Sequence, residues 1–329
     1  MAVHQTNEAQ CIEFQIPVPW GFLSCQWHGT RKVRPILALH GWQDNSGTWI
    51  PLLPYLPGHV GLFCVEFPGH GRSSKLPKGV IHHILDYINI VELIVKTFNW
   101  QKVSLLGHSL GGVVASIYAT LFPERIDLLI QLDVVKMPYR SPEFQLRAYR
   151  ITIEKQLLED ERYDEEPTSY TFDELVELIH RGYRKSVNTE NCKYLIERNC
   201  SRSSKDPSKL YFSTDPRIKY YVEIADQHDY NVDFIKPQKN LNILMIRGTT
   251  TIYIDQESLD LLEVLKKQNP NMESYEVEGT HHVHMNSPKE VARYMRPFIC
   301  KHRPPEESSR TFDANEQEEC LKRFSKSKL

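Results

Sequence analysis

Residues 103–114 read VSLLGHSLGGVV and carry the strongest structural pattern in the chain. An apolar run leads into Gly-His-Ser-Leu-Gly, and apolar residues at helical spacing follow, which predicts a buried strand, a sharp turn and a helix. A serine on such a turn is a candidate nucleophile, because the turn holds it above the end of the sheet, beside a helix N-terminus. Gly107 and Gly111, two residues before and two residues after Ser109, would crowd each other if either carried a side chain. The alternative is an ordinary glycine-rich turn, so a catalytic role for Ser109 depends on its partners.

Strand-like and helix-like patterns alternate on both sides of this stretch. Segments 12–16 and 23–27 alternate apolar and polar residues and predict antiparallel edge strands, whereas a continuous apolar run such as 35–39 predicts a strand covered on both faces. The alternation occupies residues 1–133 and resumes over 238–301. It predicts an α/β fold, with a mostly parallel sheet and helices on both faces.

The pattern changes between these two parts of the predicted core. Residues 134–237 have few β-branched runs and contain helix-like stretches at 144–158, 172–184 and 191–198. This predicts a helical lid, or cap, inserted into the core. A polar segment rich in Glu, Ser, Arg and Lys occupies residues 302–329 and is expected to be a disordered tail.

Charge and composition give no support to several classes of partner. The 329 residues carry a formal net charge of −2, so no electrostatic argument favours nucleic acid or an anionic membrane. No apolar run reaches transmembrane length, and the polar N-terminal residues predict that no signal peptide is present. The seven cysteines are scattered without a C-x-x-C pair, which is typical of reduced thiols in an intracellular protein.

The last three residues resemble a targeting signal. Ser327, Lys328 and Leu329 match the tripeptide that is read by the peroxisomal import receptor. The match predicts that receptor as a partner. It also predicts a peroxisomal location, alone or together with a cytoplasmic one.

Four motifs follow one another in a characteristic order. They are His40-Gly41-Trp42 after a buried strand, the loop PGHGRS at 68–73, Gly-His-Ser-Leu-Gly around Ser109, and the late His281. With these motifs the chain resembles the α/β-hydrolases, and among them the serine hydrolase-like proteins, over residues 12–301. The resemblance implies the α/β-hydrolase fold and a catalytic triad in the chain order serine, acid, histidine.

The base that would activate Ser109 is expected after the last strand. His281 takes the family's position when the segment is aligned through Pro288, and His282 and His284 are close alternatives. No carboxylate or cysteine ligand set accompanies these histidines, so no metal site is expected. No cofactor is implied.

The acid departs from the family's usual pattern. Where that family has G-x-x-D after the seventh strand, this chain has Gly248-Thr249-Thr250-Thr251, and Thr251 cannot carry a negative charge. Asp133 is the preferred substitute, because related haloalkane dehalogenases place their acid at this strand end, with a similar Met-Pro spacing. Asp255, just past the usual position, is the alternative. Without a catalytic role, Asp133 would cap a loop and Asp255 would cap a helix.

The resemblance also implies an oxyanion hole, formed by the backbone N–H groups of Leu110 and Trp42. Dehalogenases and epoxide hydrolases of this fold carry aspartate at the turn, so Ser109 favours acyl transfer to water through an acyl-enzyme. The predicted protein is a serine hydrolase of carboxylesterase or thioesterase type. Its substrate would be a small acyl compound, and His281 its general base.

Two other functions stay open at the level of sequence. A hydrolase-fold protein with a decayed triad could bind acyl ligands without cleaving them, and Thr251 is the reason to consider it. A C–C bond hydrolase or a peptidase is also compatible, because a fold does not determine a substrate.

Overall fold

The computed structural model describes residues 11–137, 141–220, 228–305 and 314–325. The strands of these residues, in chain order, are β1 Ile12–Val18, β2 Gly21–His28, β3 Ile36–Leu39, β4 Leu62–Val65, β5 Val103–His108, β6 Ile126–Leu132, β7 Ser169–Tyr170, β8 Cys200–Arg202, β9 Leu210–Phe212, β10 Ile243–Gly248 and β11 Glu273–Val277. The α-helices are α1 Ile84–Thr97, α2 Leu110–Leu121, α3 Pro142–Glu161, α4 Phe172–Gly182, α5 Cys192–Asn199, α6 His228–Phe234, α7 Gln256–Gln268, α8 Val283–Asn286, α9 Pro288–His302 and α10 Ala314–Ser325.

The main sheet has eight strands in the order β1-β2-β4-β3-β5-β6-β10-β11. β2 pairs antiparallel with β1 and β4, and every other pair in this sheet is parallel. All residues of β3 and β5 are buried, as expected for parallel strands that are covered on both faces. The predicted mostly parallel sheet is confirmed.

Two hydrophobic cores lie on opposite faces of this sheet. Leu105 packs in one core with Val91 of α1 and Val114 of α2. The next residue, Leu106, packs in the other core with Phe298 of α9. Because successive side chains of a strand point to opposite faces, this pattern places helices on both sides of the sheet. The α/β-hydrolase fold expected from the sequence is confirmed.

The parallel strands end at a common edge of the sheet. β3 is followed by His40, β5 by Ser109, and β6 by Asp133. Beyond β10 and β11 come Thr249 and the loop at 278–282. Ligands of α/β proteins bind at this carboxyl edge, so the fold gathers the motifs of the sequence where a site is expected.

The insertion between β6 and β10 contains strands as well as helices. It contains α3 to α6, but also a small antiparallel sheet in the order β7-β9-β8. This corrects the prediction of helices only, because strands of two or three residues are too short to show a period of two. The insertion contacts the core through a hydrogen bond from Asn45 Nδ2 to Leu195 O and an ion pair between Arg198 and Glu66. Its role as a lid stays a prediction.

The tail is not disordered throughout. The sequence predicts disorder over 302–329, but residues 314–325 form α10, which packs beside β1. Cys320 and Leu321 are buried in the core, and Phe324 packs against it. The prediction of disorder is wrong for these residues, since the polar composition conceals one apolar helix face. The terminal tripeptide at 327–329 lies outside the described residues, so the peroxisomal location stays a prediction.

No helix in the described part of the chain has the length and apolar character needed to cross a bilayer. All seven cysteines are in that part, and all are free thiols. Cys25 and Cys64 are buried, and burial raises the pKa of each thiol well above its usual value. These two thiols are therefore protonated at neutral pH.

Candidate active site

Ser109 lies on the sharp turn between β5 and α2. Its backbone has φ 51° and ψ −121°, a conformation that is costly for a residue other than glycine. The turn requires small neighbours, because a Cβ at Gly107 would overlap the Gly111 carbonyl, and one at Gly111 would overlap the Leu39 carbonyl. Ser109 N donates to Leu132 O at 3.2 Å, which ties the turn to β6. The turn therefore holds a partly exposed serine at the carboxyl edge of the sheet.

The loop after β3 is held beside this turn by the His40 ring. His40 Nδ1–H donates to Gly41 O at 2.7 Å, and Nε2 accepts from Phe67 N at 3.0 Å, which assigns a neutral ring. Burial lowers the pKa of His40, in agreement with that assignment. A Cβ at Gly41 would lie 3.3 Å from Ser109 Cβ. The backbone that leads to Trp42 therefore passes directly beside Ser109.

The two residues expected to form the oxyanion hole both border the Ser109 turn. Leu110 begins α2, where the first backbone N–H groups of a helix have no partner within the helix. Trp42 follows Gly41 in the adjacent loop, and its Nε1–H donates to Ile218 O of the insertion at 2.6 Å. Trp42 is 40% exposed and therefore lies outside the core, and its hydrogen bond to Ile218 links the loop to the insertion.

His281 and Asp133 are brought together from different strand ends. His281 Nδ1–H donates to Asp133 Oδ2 at 2.6 Å, and both residues are buried. The carboxylate also accepts from Gly248 N, at 2.7 Å on Oδ1, and from the Thr251 hydroxyl on Oδ2. The Tyr253 ring packs against the His281 ring with centroids 4.1 Å apart. Burial lowers the pKa of His281, while its hydrogen bond to Asp133 opposes that effect.

Asp255, the alternative acid, has other partners. Its Oδ1 accepts from Ser258 N at 2.8 Å, so it caps the N-terminus of α7. Its Oδ2 forms an ion pair with Lys136 at 3.2 Å. The structure thus places Asp133 against His281 and places Asp255 at a helix cap.

The two alternative bases have different partners. His282 Nδ1 lies 2.8 Å from Ser186 Oγ, and His284 Nε2 lies 2.7 Å from Thr48 Oγ1. Burial lowers the pKa of both histidines well below the usual value. Of the three late histidines, His281 is the one with a hydrogen bond to a carboxylate.

The surroundings of these histidines were not predicted from the sequence. His108 Nε2–H donates to His281 O at 3.0 Å and so supports the loop that carries His281. Asp44, which is fully buried, lies 3.7 Å from His108 Nδ1 and 3.9 Å from His282 Nε2. A carboxylate therefore does accompany the late histidines, contrary to the expectation from the sequence. Its one signal in sequence is its position two residues after Trp42.

Comparison with known proteins gives consistent matches over most of the chain. A family model described as the alpha/beta hydrolase fold matches residues 34–288. A probable serine hydrolase of Drosophila melanogaster is 32% identical over 292 residues, which cover 87% of this chain and 87% of that protein. A serine hydrolase-like protein of Danio rerio is 30% identical over 312 residues, with coverage of 93% and 94%. A solved structure of a hypothetical protein from Pseudomonas aeruginosa has a TM-score of 0.75 and 24% identity, covering 88% of this chain and 99% of its own.

Proposed function

This chain belongs to the α/β-hydrolase family, and we propose that it is a serine hydrolase that cleaves a small-molecule ester or thioester through an acyl-enzyme on Ser109. The observation that carries the proposal is the hydrogen bond from His281 to Asp133, at the sheet edge where Ser109 lies on its strained turn. The names of the relatives, a probable serine hydrolase and a serine hydrolase-like protein, support the reaction class. The acyl substrate follows from the chemistry of a serine nucleophile.

In the proposed reaction, Ser109 Oγ attacks the acyl carbon while His281 Nε2 accepts the hydroxyl proton. Because Nδ1–H of His281 donates to Asp133, the lone pair is on Nε2, and the carboxylate stabilises the imidazolium that forms. The tetrahedral intermediate collapses to an acyl-enzyme, and His281 gives its proton to the leaving alcohol or thiol. Water then attacks the acyl-enzyme with His281 again as base, which releases the acid and restores Ser109.

The negative charge on the tetrahedral intermediate requires preorganised donors. We assign this role to the backbone N–H groups of Leu110 and Trp42. The position of Leu110 at the start of α2 supports the assignment, as does the close approach of Gly41 to Ser109. Loss of one such donor typically lowers kcat by about a hundredfold to a thousandfold.

The alternative of a decayed triad was considered because Thr251 stands where the family usually has its acid. The Thr251 hydroxyl donates to Asp133, which itself contacts His281, and this supports an active triad. The threonine therefore supports an acid that comes from a different strand end. A binding protein without activity is kept as one outcome of the experiment below.

Labelling with a fluorophosphonate probe tests the nucleophile without knowledge of the substrate. The wild-type protein is expected to be labelled, and Ser109→Ala is expected to stay unlabelled. Ser208→Ala, at an exposed serine of the insertion, is the control and should be labelled like wild type. A folded wild type that neither reacts with the probe nor hydrolyses esters of graded chain length would contradict the proposal and favour a binding protein.

The peroxisomal location is a separate proposal, based on Ser327, Lys328 and Leu329. Removal of these three residues is expected to shift the protein from peroxisomes to the cytosol in cells. A peroxisomal location that is unchanged by the deletion would contradict it.

A further inference from the structure

A second cluster of side chains lies next to the proposed catalytic residues without including them. It consists of Asp44 in the loop after β3, His108 at the end of β5 and His282 in the loop after β11, and all three are buried. One ligand atom of each lies within 4.8 Å of the other two. Asp44 Oδ2 is 3.7 Å from His108 Nδ1 and 3.9 Å from His282 Nε2. We name these residues the Asp44 cluster.

The hydrogen bonds around the cluster assign the histidine tautomers. His108 Nε2–H donates to the carbonyl of His281, so the lone pair of His108 is on Nδ1. The Ser186 hydroxyl donates to Tyr183 O at 2.7 Å, so Ser186 Oγ accepts the Nδ1–H of His282, at 2.8 Å. The lone pair of His282 is therefore on Nε2. Both lone pairs belong to the atoms that lie nearest to Asp44 Oδ2.

This arrangement leaves electron-rich atoms facing one another in a buried place. Among the described residues, Asp44 Oδ2 and His108 Nδ1 have no hydrogen-bond partner, and the distances to Asp44 exceed hydrogen-bond length. Asp44 Oδ1 is satisfied separately by Asn45 N at 3.1 Å. A buried carboxylate oxygen that faces two nitrogen lone pairs is unfavourable unless a metal ion or an additional proton lies between them.

We propose that Asp44 Oδ2, His108 Nδ1 and His282 Nε2 bind one divalent transition-metal ion, for which Zn²⁺ is the best match. Two imidazoles and a carboxylate are a common zinc ligand set, with the fourth position open to water. In a tetrahedral site with bonds of about 2.1 Å, ligand atoms lie about 3.4 Å apart, so small movements of these side chains suffice. The second ring nitrogen of each histidine is already held by a hydrogen bond, as in metal sites generally.

The ion would hold together the three segments that build the active site. His108 precedes Ser109, His282 follows His281, and Asp44 lies in the loop of Trp42. None of the three ligands is one of the proposed catalytic groups, and the role that we assign to the ion is to position these three segments. Binding of the ion can therefore be measured whether or not the protein hydrolyses a substrate.

Metal content of the purified full-length protein tests this inference. After equilibration with Zn²⁺ and removal of excess metal, wild type is expected to retain one ion per chain, and Asp44→Asn and His282→Gln are expected to lose it. His70→Gln is the matched control, because His70 is a buried histidine outside the cluster, and this variant should retain the ion. Zn²⁺ should also raise the melting temperature of wild type relative to protein in chelator.

Substitution with Co²⁺ gives a readout that does not depend on the variants folding. The visible absorption of four-coordinate Co²⁺ is expected in wild type, together with displacement of Co²⁺ by Zn²⁺. A folded wild type without bound ion or Co²⁺ absorption would overturn the proposal. The partner of Asp44 would then be a protonated histidine, His108 or His282. Equal metal retention in folded Asp44→Asn and His282→Gln would overturn it as well, because the ion would then lie elsewhere.

Discussion

Thr251 and Asp133 are joined by a hydrogen bond from the threonine hydroxyl to Oδ2, the oxygen that also accepts the Nδ1–H of His281. Thr251 follows β10, whereas Asp133 follows the neighbouring strand β6. The hydroxyl at the position where an acid is expected thus contacts an acid supplied by the adjacent strand end. A change of residue type at Thr251 therefore does not by itself remove the carboxylate from the site.

The first prediction concerns this contact. Thr251→Val keeps the shape of the side chain but removes the donor to the Asp133 carboxylate. A hydrogen bond to a charged group stabilises the folded arrangement by about 1.5–3 kcal/mol. Because this stabilisation of the Asp133 carboxylate is lost in the variant, kcat/KM is expected to fall by about tenfold or more. Thr251→Ser should retain most activity. Thr250→Val is the control, since the exposed Thr250 hydroxyl donates to Gly279 O and not to the acid. Equal activity of Thr251→Val and Thr250→Val would contradict the role of Thr251.

The second prediction concerns the approach of the His40-Gly41-Trp42 loop to the nucleophile. In Gly41→Ala the new methyl group would lie 3.0 Å from His108 Nδ1 and 3.3 Å from Ser109 Cβ, so the loop or the turn must shift. A misplacement of about 1 Å can cost about a hundredfold in rate, and kcat is expected to fall by up to that amount. Gly58→Ala should behave like wild type, because nothing lies within 4 Å of its Cβ. Ester hydrolysis and thermal unfolding of both variants check this. Unchanged kcat in a folded Gly41→Ala would show that the loop position is not critical.

The third prediction concerns the pH dependence of stability. Asp215 of the insertion is buried and accepts hydrogen bonds from Arg217, at 2.9 Å, and from His82 of the core, at 3.2 Å. Burial opposes ionisation, but these partners prevail and lower the pKa of Asp215 below its ordinary value of 3.8. A carboxyl with a lower pKa in the folded chain stabilises the fold above the unfolded value and loses that contribution as pH falls. The free energy of unfolding should therefore fall below about pH 4 in part through this group.

Asp215→Asn tests that dependence in urea unfolding at several pH values. The variant is expected to lose about 1.5–3 kcal/mol of unfolding free energy at pH 7, because the buried Arg217 loses its charge-assisted hydrogen bonds to Asp215 but keeps its ion pair with Asp160. It should also show a flatter acid limb than wild type. Asp164→Asn, whose ion pair with Lys78 is exposed, should change little. An acid limb of unchanged steepness in Asp215→Asn would refute the assignment.

The core of the fold could be predicted because its patterns are local. The burial of a strand or helix can be predicted from its own residues. Examples are the sequence of the turn around Ser109, the fully apolar β3 and the apolar face of α9. The small sheet of the insertion could not be predicted, since its strands are too short for a pattern. The helix α10 was missed for a related reason, because a few apolar positions are concealed in a charged segment.

The candidate site could be predicted only in part from the sequence. Motif context singled out Ser109, but the choice between Asp133 and Asp255 depends on which strand ends are neighbours, and β6 and β10 are far apart in the chain. Asp44 was missed for the same reason. Its contacts with His108 and His282 arise only when three strand ends meet at one edge of the sheet.

The central claim is tested most directly by hydrolysis of a short-chain p-nitrophenyl ester by wild type, Asp133→Asn and Asp255→Asn. The two variants change aspartates that have different partners, His281 for Asp133 and the α7 cap for Asp255. Turnover by wild type, its loss by about ten-thousandfold in Asp133→Asn and its survival in Asp255→Asn are the predicted result, because the asparagine favours the wrong histidine tautomer. Activity that survives in folded Asp133→Asn and collapses in Asp255→Asn would contradict the account.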